Sequence, residues 1–333
     1  MRHIDRRSRA LSQRMALSAL ALGLLCAGGS ARAADVVVPG TTDFPESMTA
    51  TADGTLFFSS MAGGRIFRAT PGATEASEWI KPGSNGLSSV LGVLADEKSN
   101  TLYACSPDMT WAGIAIPGGD KTGALKMFDL QTGATKGSVA LPASTLLGQA
   151  SLCNDIAVGA DGMVYATDSL AGHILRLKPG GSGFEIWAHD PRWDVKGPQL
   201  DGIAVLADGT VYANVFEGDG LYRVAVKPDG RAGTITKLQT SRPLYHSDGL
   251  RAFGQDKLLM VEGETKGTLD LITVTGENAK VDTIKEGFAG PVSLARVNDT
   301  VYVLDVPLKF LFDPKMKTQK PPPFTAVAVK LAQ

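Results

Sequence analysis

The sequence has little of what usually announces a function. It carries only three cysteines and four histidines in 333 residues. The two cysteines beyond residue 33, Cys105 and Cys153, have no histidine close by, so a structural zinc site is not expected. No G-x-S-x-G, H-E-x-x-H, G-x-G-x-x-G or P-loop pattern occurs, which removes the usual signatures of serine hydrolases, zinc proteases, dinucleotide enzymes and nucleotide hydrolases. The longest apolar run, Met15 to Gly28, is about 14 residues, short of the roughly 20 needed to span a bilayer. What is abundant is turn chemistry: 38 glycines and 18 prolines fit many short strands joined by tight turns better than a helical bundle. With 44% hydrophobic and 20% charged residues, the chain can bury a sizeable core and is neither disordered nor fibrous.

The first 33 residues read as a secretory signal peptide. Arg2, Arg6, Arg7, Arg9 and Arg14 precede the apolar run, and Ala31-Arg32-Ala33 offers small residues for cleavage after Ala33. Arg6-Arg7 gives a faint twin-arginine character, and Cys26 lacks the preceding small residue of a lipoprotein signal. An exported protein, periplasmic or secreted, is expected, with no membrane span in the mature chain. Removing residues 1–33 takes away six arginines and Asp5, leaving 27 basic against 33 acidic residues, a net charge of about −6. Binding to a phosphate backbone is therefore not expected. In an oxidising compartment Cys105 and Cys153 either pair or pack as two buried thiols, and both alternatives stay open at this point.

The remaining residues, 34–333, read as one domain built from repeats. Residues 46–68 (ESMTATADGTLFFSSMAGGRIFR), 154–176 (NDIAVGADGMVYATDSLAGHILR) and 201–223 (DGIAVLADGTVYANVFEGDGLYR) superpose without a gap. Looser copies occur at 93–106, 248–272 and 291–305, making six. Asp-Gly or Asn-Asp between alternating apolar residues is a hairpin signal, and each copy holds three or four short strands. Such a sheet cannot bury both faces alone. Stacking six radially covers both faces of each, so an all-β, six-bladed β-propeller is expected, ahead of a sandwich or solenoid. Residues 35–42 and 324–331 both have strand character and can close the ring in one blade.

In a propeller, equivalent positions of the inner strands converge on the central channel. Seven residues before the turn residue stand Glu46, Asn154 and Asp201, and eight before the longer fifth turn stands Asp248. The second copy offers Leu91 or Gly92 there and the sixth Pro291. Several carboxylates aimed at one axis need a compensating cation, and an all-oxygen set suits a hard divalent ion. Ca²⁺ is the first expectation, with Mg²⁺, Mn²⁺ or Zn²⁺ also compatible with oxygen ligands. The competing account is that each acidic residue merely caps its own tight turn.

Phe44-Pro45-Glu46-Ser47, Cys153-Asn154-Asp155-Ile156, Leu200-Asp201-Gly202-Ile203 and Ser247-Asp248-Gly249-Leu250 together resemble the SMP-30/gluconolactonase/LRE-like family over nearly all of residues 40–310. That resemblance implies a six-bladed propeller with a divalent metal in its channel, held by Glu46, Asn154, Asp201 and Asp248. It implies Asp248 as the metal-bound catalytic carboxylate and Asn154 as the polar residue facing substrate and metal. Two departures stand out: Asp201 replaces the family's usual Asn, and Leu152 occupies a position where sugar-lactone members commonly carry arginine. Paraoxonases and strictosidine synthase share the architecture.

The chemistry implied is hydrolysis of a lactone or related ester, with metal polarisation of the carbonyl and Asp248 activating water. His246, two residues before Asp248, is a candidate proton carrier; a plain hydrogen-bonding role is its alternative. His173 and His189 fall on outer strands or loops. The expected partner is a small lactone, and the protein is expected as a monomer, since a closed ring leaves no open edge. The alternative function is a metal-stabilised propeller that binds a small molecule or protein without turnover. Trp111–Asp120 and Pro307–Pro323 are long enough to form lids over the channel.

Overall fold

The computed structural model describes residues 33–143, 151–263 and 266–331; the expected leader, residues 1–33, lies outside them except for Ala33. Six antiparallel sheets form a ring. Their inner strands, in order from blade one to blade six, are Met48–Ala50, Val93–Asp96, Cys153–Val158, Leu200–Val205, Ser247–Phe253 and Pro291–Val297. Each inner strand neighbours the next, and the sixth neighbours the first. The six-bladed propeller read from the repeats is the observed fold.

The hairpins form for the reason the repeats suggested. At the end of each inner strand in blades one, three and four, the side chains of Asp53, Asp161 and Asp208 accept the backbone N–H two residues on, from Thr55, Met163 and Thr210, at 2.9–3.1 Å. Gly54, Gly162 and Gly209 follow at φ +92°, +81° and +85°, where a residue without Cβ is least strained. The turn-capping role thus belongs to these aspartates and not to the residues seven positions earlier.

Packing follows the ring. Six apolar clusters fill the six junctions between neighbouring blades. Trp187, Trp193 and Tyr222 fill the junction of blades three and four, while Phe44, Met48 and Phe324 belong to that of blades six and one. Burying both faces of every sheet in this way is the dominant stabilising effect, because no blade could remove its apolar surface from water alone. At the junction of blades two and three, Cys105 and Cys153 are joined as a disulfide, Cα to Cα 5.3 Å.

The ring closes in blade six, where Val36–Val38 pairs antiparallel with Phe324–Lys330, Val36 opposite Ala326. One strand was not anticipated. Gln239–Thr240 lies parallel to Asn278–Glu286 as a fifth, outermost strand of blade five, covering part of an otherwise open edge. No helix among the described residues is long and apolar enough to cross a membrane.

Candidate metal centre

The inner strands carry their polar side chains on bulges. In blade three, Cys153 pairs with Asp168 and Ile156 with Ala166, so Asn154 and Asp155 face the single residue Thr167. In blade four, Asp201 and Gly202 face Asn214, and in blade five Asp248 and Gly249 face Val261. Two residues against one is the geometry that bends a strand and re-aims a side chain, and here it turns Asn154, Asp201 and Asp248 toward the axis. Glu46 stands just before the inner strand of blade one, its N–H donating to Ser59 Oγ at 3.1 Å.

The bulged backbone is held by polar side chains of the second strands. Thr167 Oγ accepts the Asp155 N–H at 3.0 Å and donates to the Asp201 carbonyl at 2.5 Å. Asn214 accepts from Gly202 N–H and donates to the Asp248 carbonyl, both at 2.7 Å. Each of the two therefore satisfies a bulge in its own blade while tying down the ligand residue of the next. Close approach of the strands also demands glycine: a Cβ on Gly202 would lie 2.4 Å from the Asp248 carbonyl oxygen. Two ligand residues are preceded, two positions back, by left-handed backbone in a bulky residue, Phe44 and His246, each at φ +45°. Such strain is uncommon outside functional sites.

The structure brings all four predicted metal residues together at one end of the channel. Carboxylate oxygens of Glu46, Asp201 and Asp248 lie within 4.8 Å of one another. Asn154 joins them, its Nδ2 donating to Asp201 Oδ2 and to Ser169 Oγ at 3.0 Å each. All four are buried, only 5–6% exposed. Glu46 Oε2 and Asn154 Oδ1 have no hydrogen-bond partner among the described residues, although buried polar oxygens are ordinarily satisfied.

Charge at the site is out of balance. Burial, then the Asp201 and Asp155 charges, pushes Glu46 well above the usual carboxylate range. Burial followed by the Asp155 charge raises Asp201 to about 7. Asp248 is raised well above its ordinary value by burial and by its neighbours Asp201 and Glu46. Burying three ionised carboxylates side by side is costly, and a divalent ion would compensate their charge. Ca²⁺–oxygen distances of about 2.3–2.6 Å place ligand oxygens up to about 5 Å apart, so the observed spacing and the two unpartnered oxygens fit such an ion.

Below the carboxylates lies a pair that the repeats did not reveal. Arg251 Nη1 meets Asp155 Oδ2 at 2.5 Å and also donates to the Leu250 carbonyl at 2.8 Å. It reaches the Met48 carbonyl and Ser293 Oγ at 3.5 Å, spanning from blade five toward blades three, one and six. Arg251 also lines a cavity of about 350 Å³ bounded by residues of four inner strands, among them Ala95, Ala157 and Ala204.

At the mouth, His246 stacks on Phe216 with ring centroids 4.9 Å apart, and its Nε2 is 3.6 Å from Glu217 Oε2. His246 is thus beside the site without belonging to the carboxylate cluster. His173 and His189 face each other on the outer strands of blade three. The long connections of blades two and six run at the ligand end of the channel. They meet in a seventh apolar cluster, where Met109, Ile114, Leu308 and Leu311 pack with Leu91 and Leu152.

Solved structures share this architecture. A luciferin-regenerating enzyme matches with TM-score 0.61 and 13% identity, covering 88% of this chain and 93% of that one. A gluconolactonase from Xanthomonas campestris matches with TM-score 0.60 and 15% identity, over 88% and 87% of the two chains. Virginiamycin B lyase from Staphylococcus aureus matches at 0.57 and 16%, over 81% and 80%. No protein-family model matches the chain, and no curated protein does. At these identities the likeness establishes the propeller and leaves the reaction to the chemistry of the site.

Proposed function

We propose that this chain is an exported, divalent-metal-dependent hydrolase of lactones or related esters, with Ca²⁺ as its ion. The observation that carries the proposal is the convergence of Glu46, Asn154, Asp201 and Asp248, with Glu46 Oε2 and Asn154 Oδ1 left unpartnered beside three carboxylates. The four would hold the ion. When bound, it supplies Lewis-acid polarisation of an ester carbonyl and stabilises the negative charge that develops there.

The chain's own groups do the rest. Asn154 presents its amide at the axis and holds the substrate beside the carboxylates. Asp248 accepts the proton of the attacking water, its backbone fixed by Asn214. His246, held by its stack on Phe216 and by Glu217 at the mouth, passes protons between the site and solvent. The buried disulfide of Cys105 and Cys153 suits an oxidising compartment and so supports export. The gluconolactonase among the structural neighbours is consistent with this reading.

The test is metal analysis of the purified mature protein, followed by pH-indicator hydrolysis of a lactone panel before and after chelation. Turnover that chelation removes and Ca²⁺ restores supports the proposal. Bound metal without turnover would make the protein a binding module, and hydrolysis indifferent to chelation would remove the metal from the reaction. Replacing Glu46 by Gln lowers Ca²⁺ affinity by about tenfold or more, in line with the loss of a charged ligand, measured by calorimetric titration.

A further inference from the structure

The wall of the channel mouth differs in kind from its floor. On the side of blades two and three, the residues that open the inner strands are Leu91, just before Gly92, and Leu152, two before Asn154. Both are buried in the cluster formed with Met61, Met109 and Ile114. The cover comes from two places in the chain: Met109 and Ile114 from the long connection of blade two, Leu308 and Leu311 from that of blade six. No lysine or arginine occupies the two residues preceding any of the positions Glu46, Gly92, Asn154, Asp201, Asp248 and Pro291. None of these twelve positions therefore offers a guanidinium or ammonium to a row of hydroxyl groups. On the outside of the same two connections stand two exposed aromatic residues, Trp111 at 45% and Phe312 at 43% exposure, adjoining cluster members Ala112 and Leu311.

We propose that the substrate is the lactone of an apolar hydroxy acid, bearing an alkyl or aryl substituent in place of ring hydroxyls, with Leu91, Met109, Ile114 and Leu152 setting that preference. The inference rests on the lactone-hydrolase reading and narrows it. A lactone ring placed with its carbonyl at the carboxylate cluster has hydrocarbon on the Leu152 side. A hydroxyl directed onto the side chains of Leu91, Met109, Ile114 and Leu152 would give up its water without gaining a partner from them, whereas a methylene gains by leaving water. Met61 and Met109 are unbranched and adaptable, which lets the cluster repack around an alkyl chain. The cover itself is pinned from below, where the buried Lys126 ammonium meets Asp120 of the blade-two connection at 2.5 Å.

The experiment compares glucono-δ-lactone, δ-valerolactone and δ-decalactone with the mature, Ca²⁺-loaded protein. In parallel, binding of the unreactive lactam matching δ-decalactone is followed through tryptophan fluorescence, with Trp111→Phe identifying the reporter. The expected result is a kcat/KM that rises by about fourfold for each of the first added methylenes and a δ-decalactone value at least about a hundredfold above that of gluconolactone. Leu152→Arg shifts the ratio of the two by about tenfold or more toward gluconolactone, and Met109→Gln, on the connection and away from the inner strands, shifts it in the same direction. Gluconolactone turned over as well as δ-decalactone, with a ratio unmoved by either variant, would overturn the inference and leave the hydrolase reading standing. If no lactone is turned over, the hydrolase reading falls and lactam binding decides. Tighter binding of the alkyl lactam than of unsubstituted δ-valerolactam, weakened by Met109→Gln, keeps the apolar site; equal binding removes it.

Discussion

Blades one, three, four and five differ from blades two and six in a way that divides the labour of the molecule. The first group brings an oxygen-bearing side chain to the axis, on a bulge in three cases. Blade two brings no oxygen-bearing side chain there: Leu91 and Gly92 both stand opposite Cys105, the Leu91 N–H donating to the Cys105 carbonyl at 3.0 Å and the Cys105 N–H to the Gly92 carbonyl at 2.9 Å, before regular pairing begins with Val93 opposite Ala104. A Cβ on Gly92 would lie 2.1 Å from the Asn154 carbonyl oxygen, to which its own N–H donates at 2.7 Å. Blade six has a bulge but carries Pro291 at its start. The second group contributes the two long connections and the apolar cover instead. The three regular copies and the looser fifth bring polar side chains to the axis, while blades two and six bring the apolar cover.

That division can be broken from either side. Asp248→Asn, in a ligand blade, is expected to lower kcat by about 10³-fold while circular dichroism stays unchanged; a retained rate would remove Asp248 from the reaction. Arg251→Met leaves the Asp155 carboxyl buried without its partner beneath the axial cluster, which costs about 3–5 kcal/mol in a urea unfolding experiment. A loss below about 1 kcal/mol would mean that Arg251 is not the cation on which the ligand blades depend. Asn214→Ala unpairs a buried N–H and a buried carbonyl and is expected to cost about 2–3 kcal/mol. Gly92→Ala, whose Cβ presses on the Asn154 carbonyl, should cost about 1–3 kcal/mol through overpacking and weaken Ca²⁺ binding as Asn154 is displaced; unchanged stability and affinity would contradict the close approach of blades two and three.

The smallest effect concerns pH. Glu46, Asp201 and Asp248 all have folded-state values raised above their unfolded ones, Asp201 to about 7. Between the unfolded value near 4 and that range, the metal-free native state binds more protons than the unfolded chain, so its stability falls as pH rises. A thermal scan from pH 4 to 7 should show Tm declining by roughly 5 °C, with saturating Ca²⁺ reversing the decline. A Tm rising over that window without Ca²⁺ would contradict the assigned burial of these groups.

The ring and the convergence of four polar side chains were legible because three copies superpose without a gap, which places Glu46, Asn154 and Asp201 in one register, and the looser fifth copy adds Asp248. The same superposition holds Ser59, Thr167 and Asn214 thirteen residues further on. They went unremarked because Ser, Thr and Asn differ in type, and an isolated polar residue on a strand reads as surface. A rule that asked for any side-chain donor or acceptor opposite a ligand position would have found them. The pair of Asp155 and Arg251 had no such signal: its members are 96 residues apart and recur in no other blade. The lengths of Trp111–Asp120 and Pro307–Pro323 suggested covers, but only the fold shows that Ile114 and Leu311 share one apolar cluster with Leu152. The fifth strand of blade five, two residues long, carries no periodicity to detect.

The joint between Val36–Val38 and Phe324–Lys330 has a consequence for how the molecule comes into being. The first strand of the domain to be made belongs to the same sheet as the last, so the circle stays open until its final residues have emerged. A chain interrupted before residue 324 leaves Pro291–Val297 and Thr300–Asp305 with an uncovered neighbour and the first three residues of strand with nothing to join. Completion is thereby written into the architecture as a condition for closure, and contacts spanning almost the whole domain make that last step a slow, non-local one. A truncated copy would present an open sheet edge to its surroundings, the feature by which quality-control proteases and aggregating partners recognise unfinished β proteins.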